Sequence, residues 1–249
     1  MRYIFIGDIH GCVDEFRELV RAVDVQPEDQ VICLGDFMDK GPDPAACVRF
    51  ARESGFGSIL GNHEEKHLRW RRNEARAKAD PSYRNGIRNF SATKAAQNAA
   101  LSDEDVAWLQ ALPIYLEPVQ GFVVVHGGLF PSLSLKDQPK DKIIRARFVN
   151  EAGEHLPSDF SSETSMPAGA QHWTALYDGS HNVIYGHEAH SLTNPRVDRR
   201  PNGSVCYGID TGCVHGGRLT AMVLQDGNVN FEQVQARQVY RNPPWPIPS

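Results

Sequence analysis

The segment Arg2-Tyr3-Ile4-Phe5-Ile6-Gly7-Asp8-Ile9-His10-Gly11 sets the fold class. Arg2 to Ile6 is a short, mostly apolar run of the kind that forms a buried strand, and it stops at Gly7 beside two metal-capable side chains, Asp8 and His10. Just downstream, Phe16, Leu19, Val20 and Val23 fall at i, i+3, i+4 and i+7, which puts four apolar side chains on one helix face. A strand followed by a helix that packs back onto it is the opening of a β-α-β unit.

The same rhythm continues outward. Gln30 to Leu34 reads as a second strand, and Asp43 followed by Pro44 as an N-cap and first helical residue opening a helix to about Ser54. Ser58 to Leu60 is a third, short strand. A charged helix runs from Glu64 to about Lys78, and the stretch to Asn98 lacks strand character. Ser102 with Asp105 resembles a capping box for a helix ending near Leu112, so residues 64–112 are expected to form a helical cap. The second half is mostly sheet, with strands expected at Ile114 to Leu116, Phe122 to Val125, Val183 to Tyr185, Val205 to Ile209, Leu219 to Leu224 and Val229 to Val234. Asp226-Gly227 is a hairpin turn between the last two. The polar, irregular loop 130–171 is expected to overhang a site. No repeat or linker divides the chain, which gives one domain over 1–241 and a proline-rich extended tail over 242–249.

Composition narrows the function. With 31 acidic and 26 basic residues among 249, a net charge of −5, the chain is not a nucleic-acid-coating protein. The longest apolar runs span four residues, against roughly 20 for a membrane helix. Gly7, Asp8 and His10 interrupt any leader-like stretch, so the expected location is cytoplasmic. Cys12, Cys33, Cys47, Cys206 and Cys213 form no C-x-x-C pair and indicate neither a disulfide framework nor a thiolate zinc site.

Four strand ends stop at a glycine or histidine beside a metal-capable side chain: Gly7-Asp8-Ile9-His10-Gly11, Gly35-Asp36-Phe37-Met38-Asp39-Lys40-Gly41, Gly61-Asn62-His63-Glu64 and His126-Gly127-Gly128. A fifth, Gly186-His187, follows Val183 to Tyr185. In α/β sheets, ligands bind beyond the carboxyl ends of strands, so these five ends should converge on a metal site. Its donors are all oxygen and nitrogen, which suits manganese, iron, zinc or magnesium.

These motifs resemble the phosphoprotein-phosphatase branch of the calcineurin-like metallophosphoesterases. The segment Gly208 to Thr220 further resembles the closing segment of the diadenosine-tetraphosphatase-like (ApaH-like) members. The resemblance implies an α/β, four-layer αββα fold with two mixed sheets packed face to face. It implies two divalent metal ions, manganese first, with Asp8 and His10 on one, Asp36 bridging, and Asn62, His126 and His187 on the other. It also implies a catalytic pair, His63 and Asp39. Two metals about 3.5–4 Å apart would hold a hydroxide for in-line attack, and His63 would protonate the leaving oxygen. Lys40 stands where the branch usually carries arginine and would grip substrate phosphate as a point charge. Arg145 or Arg147 is the expected second phosphate-binding residue.

The implied function is a phosphomonoesterase of serine/threonine protein phosphatase type. The alternatives are hydrolysis of dinucleoside polyphosphates or phosphorylated RNA ends, or a catalytically silent phosphate- or nucleotide-binding module, whose hallmark would be lost ligands. The substrate is thus a phosphoprotein, a nucleotide polyphosphate or an RNA end, and no membrane partner is expected. Several readings stay modest. His172, His190 and His215 are taken as core or solvated histidines, Glu64 as a residue supporting the ligands from behind or a first-turn helix residue rather than a ligand, and Trp70, Tyr83, Phe90 and Trp173 as packing residues. The basic run Lys66, Arg69, Arg71, Arg72, Arg76 and Lys78 is either a solvated face or an attractor for polyphosphate or RNA.

Overall fold

Alternating burial along β1 (Arg2–Ile6) shows how the layers form: Ile4 and Ile6 face a helical layer, and Phe5 faces a second sheet. The structure, a computed structural model, describes every residue except 88–89, 132, 158–166, 244–245 and 249. Its first half runs through α1 (Val13–Ala22), β2 (Gln30–Cys33), α2 (Pro44–Glu53), β3 (Gly57–Ser58), α3 (Asn62–Ala79), α4 (Ala92–Ala99) and α5 (Asp103–Ala111). The second half holds β4 (Tyr115–Val119), β5 (Phe122–Val125), α6 (Lys140–Ile143), β6 (Phe148–Val149), β7 (Gln171–His172), β8 (Asn182–Tyr185), β9 (Arg196–Arg199), β10 (Val205–Gly208), β11 (Arg218–Gln225) and β12 (Asn228–Gln235).

One mixed sheet has the order β12-β11-β1-β2-β3, with β1, β2 and β3 parallel and β11 and β12 antiparallel. The other has the order β4-β5-β8-β10-β9, with β5, β8 and β10 parallel and both edges antiparallel. Phe5, Ile32, Val124, Ile184, Tyr207 and Met222 fill the space between them. On the outer face of the first sheet, Phe16, Leu19, Val48 and Leu109 pack from the helices. On the outer face of the second, Trp173 and Ile143 pack on Val123, Val183 and Tyr185. The fold is the expected αββα sandwich, though its second outer layer is built from α6 and short turns.

Local chemistry accounts for most boundaries. Asp43 caps α2 by accepting from the Ala46 N–H at 3.0 Å, and Ser102 with Asp105 forms the capping box of α5. At Asp226-Gly227 both residues have positive φ, 51° and 78°, as a primed hairpin turn requires. Helix α3 starts at Asn62, two residues before its expected start, which brings Asn62 and His63 into its first turn. Strand β9 has no counterpart in the sequence reading: Arg-Val-Asp-Arg lacks an apolar run and is recruited as an edge by pairing with β10. Trp70 stacks on Phe90 with centroids 4.4 Å apart, Tyr83 lies under the Arg76 guanidinium, and Trp173 is fully buried. Pro244, Trp245 and Ser249 of the expected tail lie outside the described residues, whereas the Pro248 carbonyl accepts from the Leu192 N–H at 2.7 Å. No described helix is long and apolar enough to cross a membrane.

Candidate metal centre

The five strand-end loops meet at one edge of the sandwich, and their backbone is bent to do so. Among the described residues, seven non-glycine residues have positive φ, and five of them, His10, Asp36, Asp39, Lys40 and His187, belong to these loops. Such conformations cost about 1–3 kcal/mol each and persist only where the surroundings enforce them. Glu64 is one enforcer. Fully buried, its carboxylate accepts N–H bonds from Asp36 at 2.8 Å, Met38 at 2.9 Å and Gly61 at 3.2 Å. Burial, then the nearby Asp36 carboxylate, push Glu64 up to about 7 against the pull of those N–H donors. Glu64→Ala would orphan three buried donors at roughly 1–3 kcal/mol each. A fall in stability of about 3 kcal/mol or more is expected in thermal unfolding; an unchanged melting temperature would show that the 35–41 loop holds its shape by itself. Glycine at 61 and 186 is required by space, because a Cβ there would collide with the Asp36 and Asp8 carboxylates respectively.

Asp36 lies at the centre. Its Oδ2 is 3.4 Å from His10 Nε2, 3.3 Å from His126 Nε2 and 3.9 Å from His63 Nε2. Burial alone would raise its pKa, but His126, His63 and His10 outweigh that and hold it well below the usual carboxylate range. The same carboxylates, Asp36 first and then Asp8, hold His126 up to about 9 although burial pulls it down. His10 Nδ1 donates to the Met38 carbonyl at 2.8 Å and His126 Nδ1 to the Leu34 carbonyl at 2.7 Å. Each bond fixes the tautomer that leaves Nε2 available as a ligand. Asn62 Oδ1 is 3.0 Å from His126 Nε2, and both Asp8 oxygens accept from the His187 N–H at 3.1 Å. Among the described residues, His187 Nε2 is buried without a hydrogen-bond partner.

Two donor groups, His10-Asp36-His63 and Asp36-His126-His187, each have ligand atoms within 4.8 Å of one another, and they share Asp36. The shared carboxylate, the unpartnered His187 nitrogen and the all N/O donor set fit two divalent ions. Asp8, expected on the first ion, lies 4.0 Å from His10 Nε2. Its carboxyl is raised well above its ordinary range, by burial and then by Asp210, a buried residue of the Gly208 to Thr220 segment to which the sequence reading gave no role of its own.

His63 Nδ1 and Asp39 Oδ2 are 2.5 Å apart, so the expected pair is in contact. The sequence reading missed the rest of this network. His67 Nε2 donates to Asp39 Oδ1 at 2.9 Å, Asn98 donates back to His67, and Lys94 forms an ion pair with Asp39. Despite burial, these bonds keep Asp39 far below the usual carboxylate range. The available signal was spacing: His63 and His67 lie four apart on α3, and Lys94 and Asn98 four apart on α4.

The phosphate-binding candidates separate. Lys40 Nζ reaches His10 Nε2 at 2.8 Å, beside the first donor group. Arg147 donates to the His187 carbonyl at 3.4 Å. Arg145 turns away and forms an ion pair with Glu65 on α3. A third donor group, His172-Glu188-His190, lies outside this centre. Arg196 lies 3.2 Å from His190 Nδ1, which leaves the proton on Nε2, a donor rather than a ligand. Expected as core or solvated residues, His172 and His190 set their Nε2 atoms 3.7 and 4.0 Å from Glu188 Oε2, beyond hydrogen-bond distance.

A family profile described as calcineurin-like phosphoesterase matches residues 1–198. The chain is 37% identical over 276 residues to a symmetrical bis(5'-nucleosyl)-tetraphosphatase of Aromatoleum aromaticum, covering 90% of this chain and 94% of the relative. It is 28% identical to the asymmetrical bis(5'-nucleosyl)-tetraphosphatase PrpE of Geobacillus sp. (strain WCH70), with 89% of each chain covered. A crystal structure assigned provisionally to a diadenosine tetraphosphatase superposes with a TM-score of 0.73 at 26% identity, covering 94% of this chain and 93% of that one.

Proposed function

Because the chain belongs to the calcineurin-like phosphoesterase family and is a metal-dependent phosphoester hydrolase, we propose that its substrates are dinucleoside polyphosphates, cleaved at the centre around Asp36. The observation that carries the chemistry is one carboxylate shared by two donor groups. The substrate rests on relatives of both cleavage types aligned over about nine-tenths of the chain. This reverses the order of the sequence reading, which placed a protein phosphatase first, because the relatives reported above are bis(5'-nucleosyl)-tetraphosphatases.

In this reading Asp8 and His10 would hold one ion, Asn62, His126 and His187 the other, and Asp36 both, with manganese the expected metal. When bound, the ions supply Lewis acidity toward phosphate oxygens and an acidified water. The chain supplies position and charge. Asp39, pinned by His67 and Lys94, accepts the Nδ1 proton of His63 and so directs Nε2 toward Asp36. Lys40 and Arg147 flank the two donor groups, where they would take oxygens of the phosphate under attack.

The deciding measurement is a side-by-side assay of diadenosine tetraphosphate, a phosphoserine peptide and 5′-triphosphorylated RNA with manganese. Highest kcat/KM is expected for the dinucleotide, and the nucleotide products identify the bond cut. Preference for the peptide would restore the protein phosphatase reading. For Lys40, the alanine variant is expected to raise KM and lower kcat/KM roughly tenfold or more, while Lys40→Arg at least preserves both. An alanine variant with unchanged kinetics would place Lys40 outside the substrate contact.

A further inference from the structure

A groove of about 500 Å³ lies between α3 and α6, lined by Arg69, Lys140 and Arg145 and by Glu65 and Asp141. Both walls grow out of the metal centre. Glu65 follows Asn62 by one turn of α3, and the Ile143 carbonyl before Arg145 accepts the N–H groups of Gly127 and Gly128, next to His126. From Asn62 to Arg69 the groove runs roughly 10 Å at 1.5 Å per helical residue.

Its cations are held in place but not neutralised. Glu65 accepts from Arg69 Nε at 2.9 Å and pairs with Arg145, and Arg145 also donates to the Asp141 carbonyl at 3.3 Å. One carboxylate thus orients two guanidinium groups and leaves further N–H donors on each. Lys66, next along α3, has no carboxylate within 4.0 Å among the described residues; burial and its neighbours Lys94, Arg69 and Arg145 lower its pKa. Lys94, through its ion pair with Asp39, joins this cluster to His63. A structural ion-pair network would pair its charges off, whereas this one keeps a positive surplus along α3 and α6.

We propose that this groove is a polyphosphate subsite, in which Arg69, Lys140 and Arg145 hold the phosphates beyond the one being attacked, with Lys66 beside it on α3 adding its charge to theirs. The inference rests on the phosphoester-hydrolase reading of the Asp36 centre, but not on the nucleosides of the substrate. It gives a role to Arg145, which the metal centre does not use, and to the first two cations of the basic run on α3.

The test measures inhibition of p-nitrophenyl phosphate hydrolysis by tripolyphosphate and by orthophosphate, at constant free manganese, in the wild type and in Lys66→Gln, Lys140→Gln and the double variant. Wild-type enzyme is expected to bind tripolyphosphate at least tenfold more tightly than orthophosphate. Each single variant should lose part of that advantage and the double variant about tenfold of it, with orthophosphate inhibition unmoved. An unchanged ratio, or equal losses for both inhibitors, would overturn the subsite. Lys140 is exposed and on the opposite wall, so its variant reports even if Lys66→Gln unfolds. Failure of wild-type enzyme to cleave diadenosine tetraphosphate while the ratios behave as expected would remove only the dinucleoside substrate.

Discussion

Asp36→Asn is expected to abolish turnover to within measurement, a loss of roughly three orders of magnitude or more, because several kcal/mol of charge stabilisation depend on both ions being in place. Asp36 is the one carboxylate common to both donor groups, and its Oδ2 stands about equally far from His10 and His126, at 3.4 and 3.3 Å. Asparagine keeps the shape, and it tolerates the left-handed backbone at φ 51° better than most residues, so the variant should fold. What it removes is a negative charge set against two cations. One or both ions should be lost, and activity should fall further than in any variant of a ligand that serves one ion only. Metal analysis showing two ions per chain at normal affinity would sink the shared-ligand assignment.

His63→Asn is expected to divide substrates by their leaving groups. A serine alkoxide is a poor leaving group without a proton, whereas p-nitrophenolate or a nucleotide phosphate departs unaided. If His63 donates that proton, a phosphoserine peptide should lose roughly 10²–10⁴ in rate, and p-nitrophenyl phosphate and diadenosine tetraphosphate much less. The geometry suits the role: Asp39 takes Nδ1 at 2.5 Å and leaves Nε2 turned toward the centre, 3.9 Å from Asp36 Oδ2. Burial lowers the His63 pKa while Asp36 and Asp39 oppose the shift. Equal losses on activated and unactivated esters, with both metals retained, would leave His63 a charge-stabilising group. Loss of metal would instead move it into the ligand set with His10 and Asp36, where the donor distances already allow it.

Where the chain is locally determined, its sequence is readable. Strand β1 and the helix after it follow from an apolar run and a 3.6-residue period, and the caps at Asp43 and Ser102 follow from side chains that reach their own backbone. Donor residues at strand ends are readable for the same reason, since a strand must stop where its backbone turns to present them. Residues whose role is set by a distant partner were less visible. Glu64 reads in the sequence as either a support behind the ligands or a first-turn acid, and packing decides for the first by closing its carboxylate on the Asp36 loop, 28 residues away. His67, Lys94 and Asn98 matter only because α3 and α4 close over Asp39. Strand β9, charged and without an apolar run, exists because β10 offers it an edge.

By itself the sequence determined the candidate donors, their order and their placement at strand ends, because those depend on short-range periodicity and on backbone turns. Tertiary structure alone decided that Arg147 reaches the His187 loop and that Arg145 is held by Glu65 beside a cationic groove. Two arginines separated by a single residue point to different walls, and which wall supplies a carboxylate or a carbonyl depends on how the layers pack. Long-range electrostatics acts through that packing, and no local pattern in the chain encodes it.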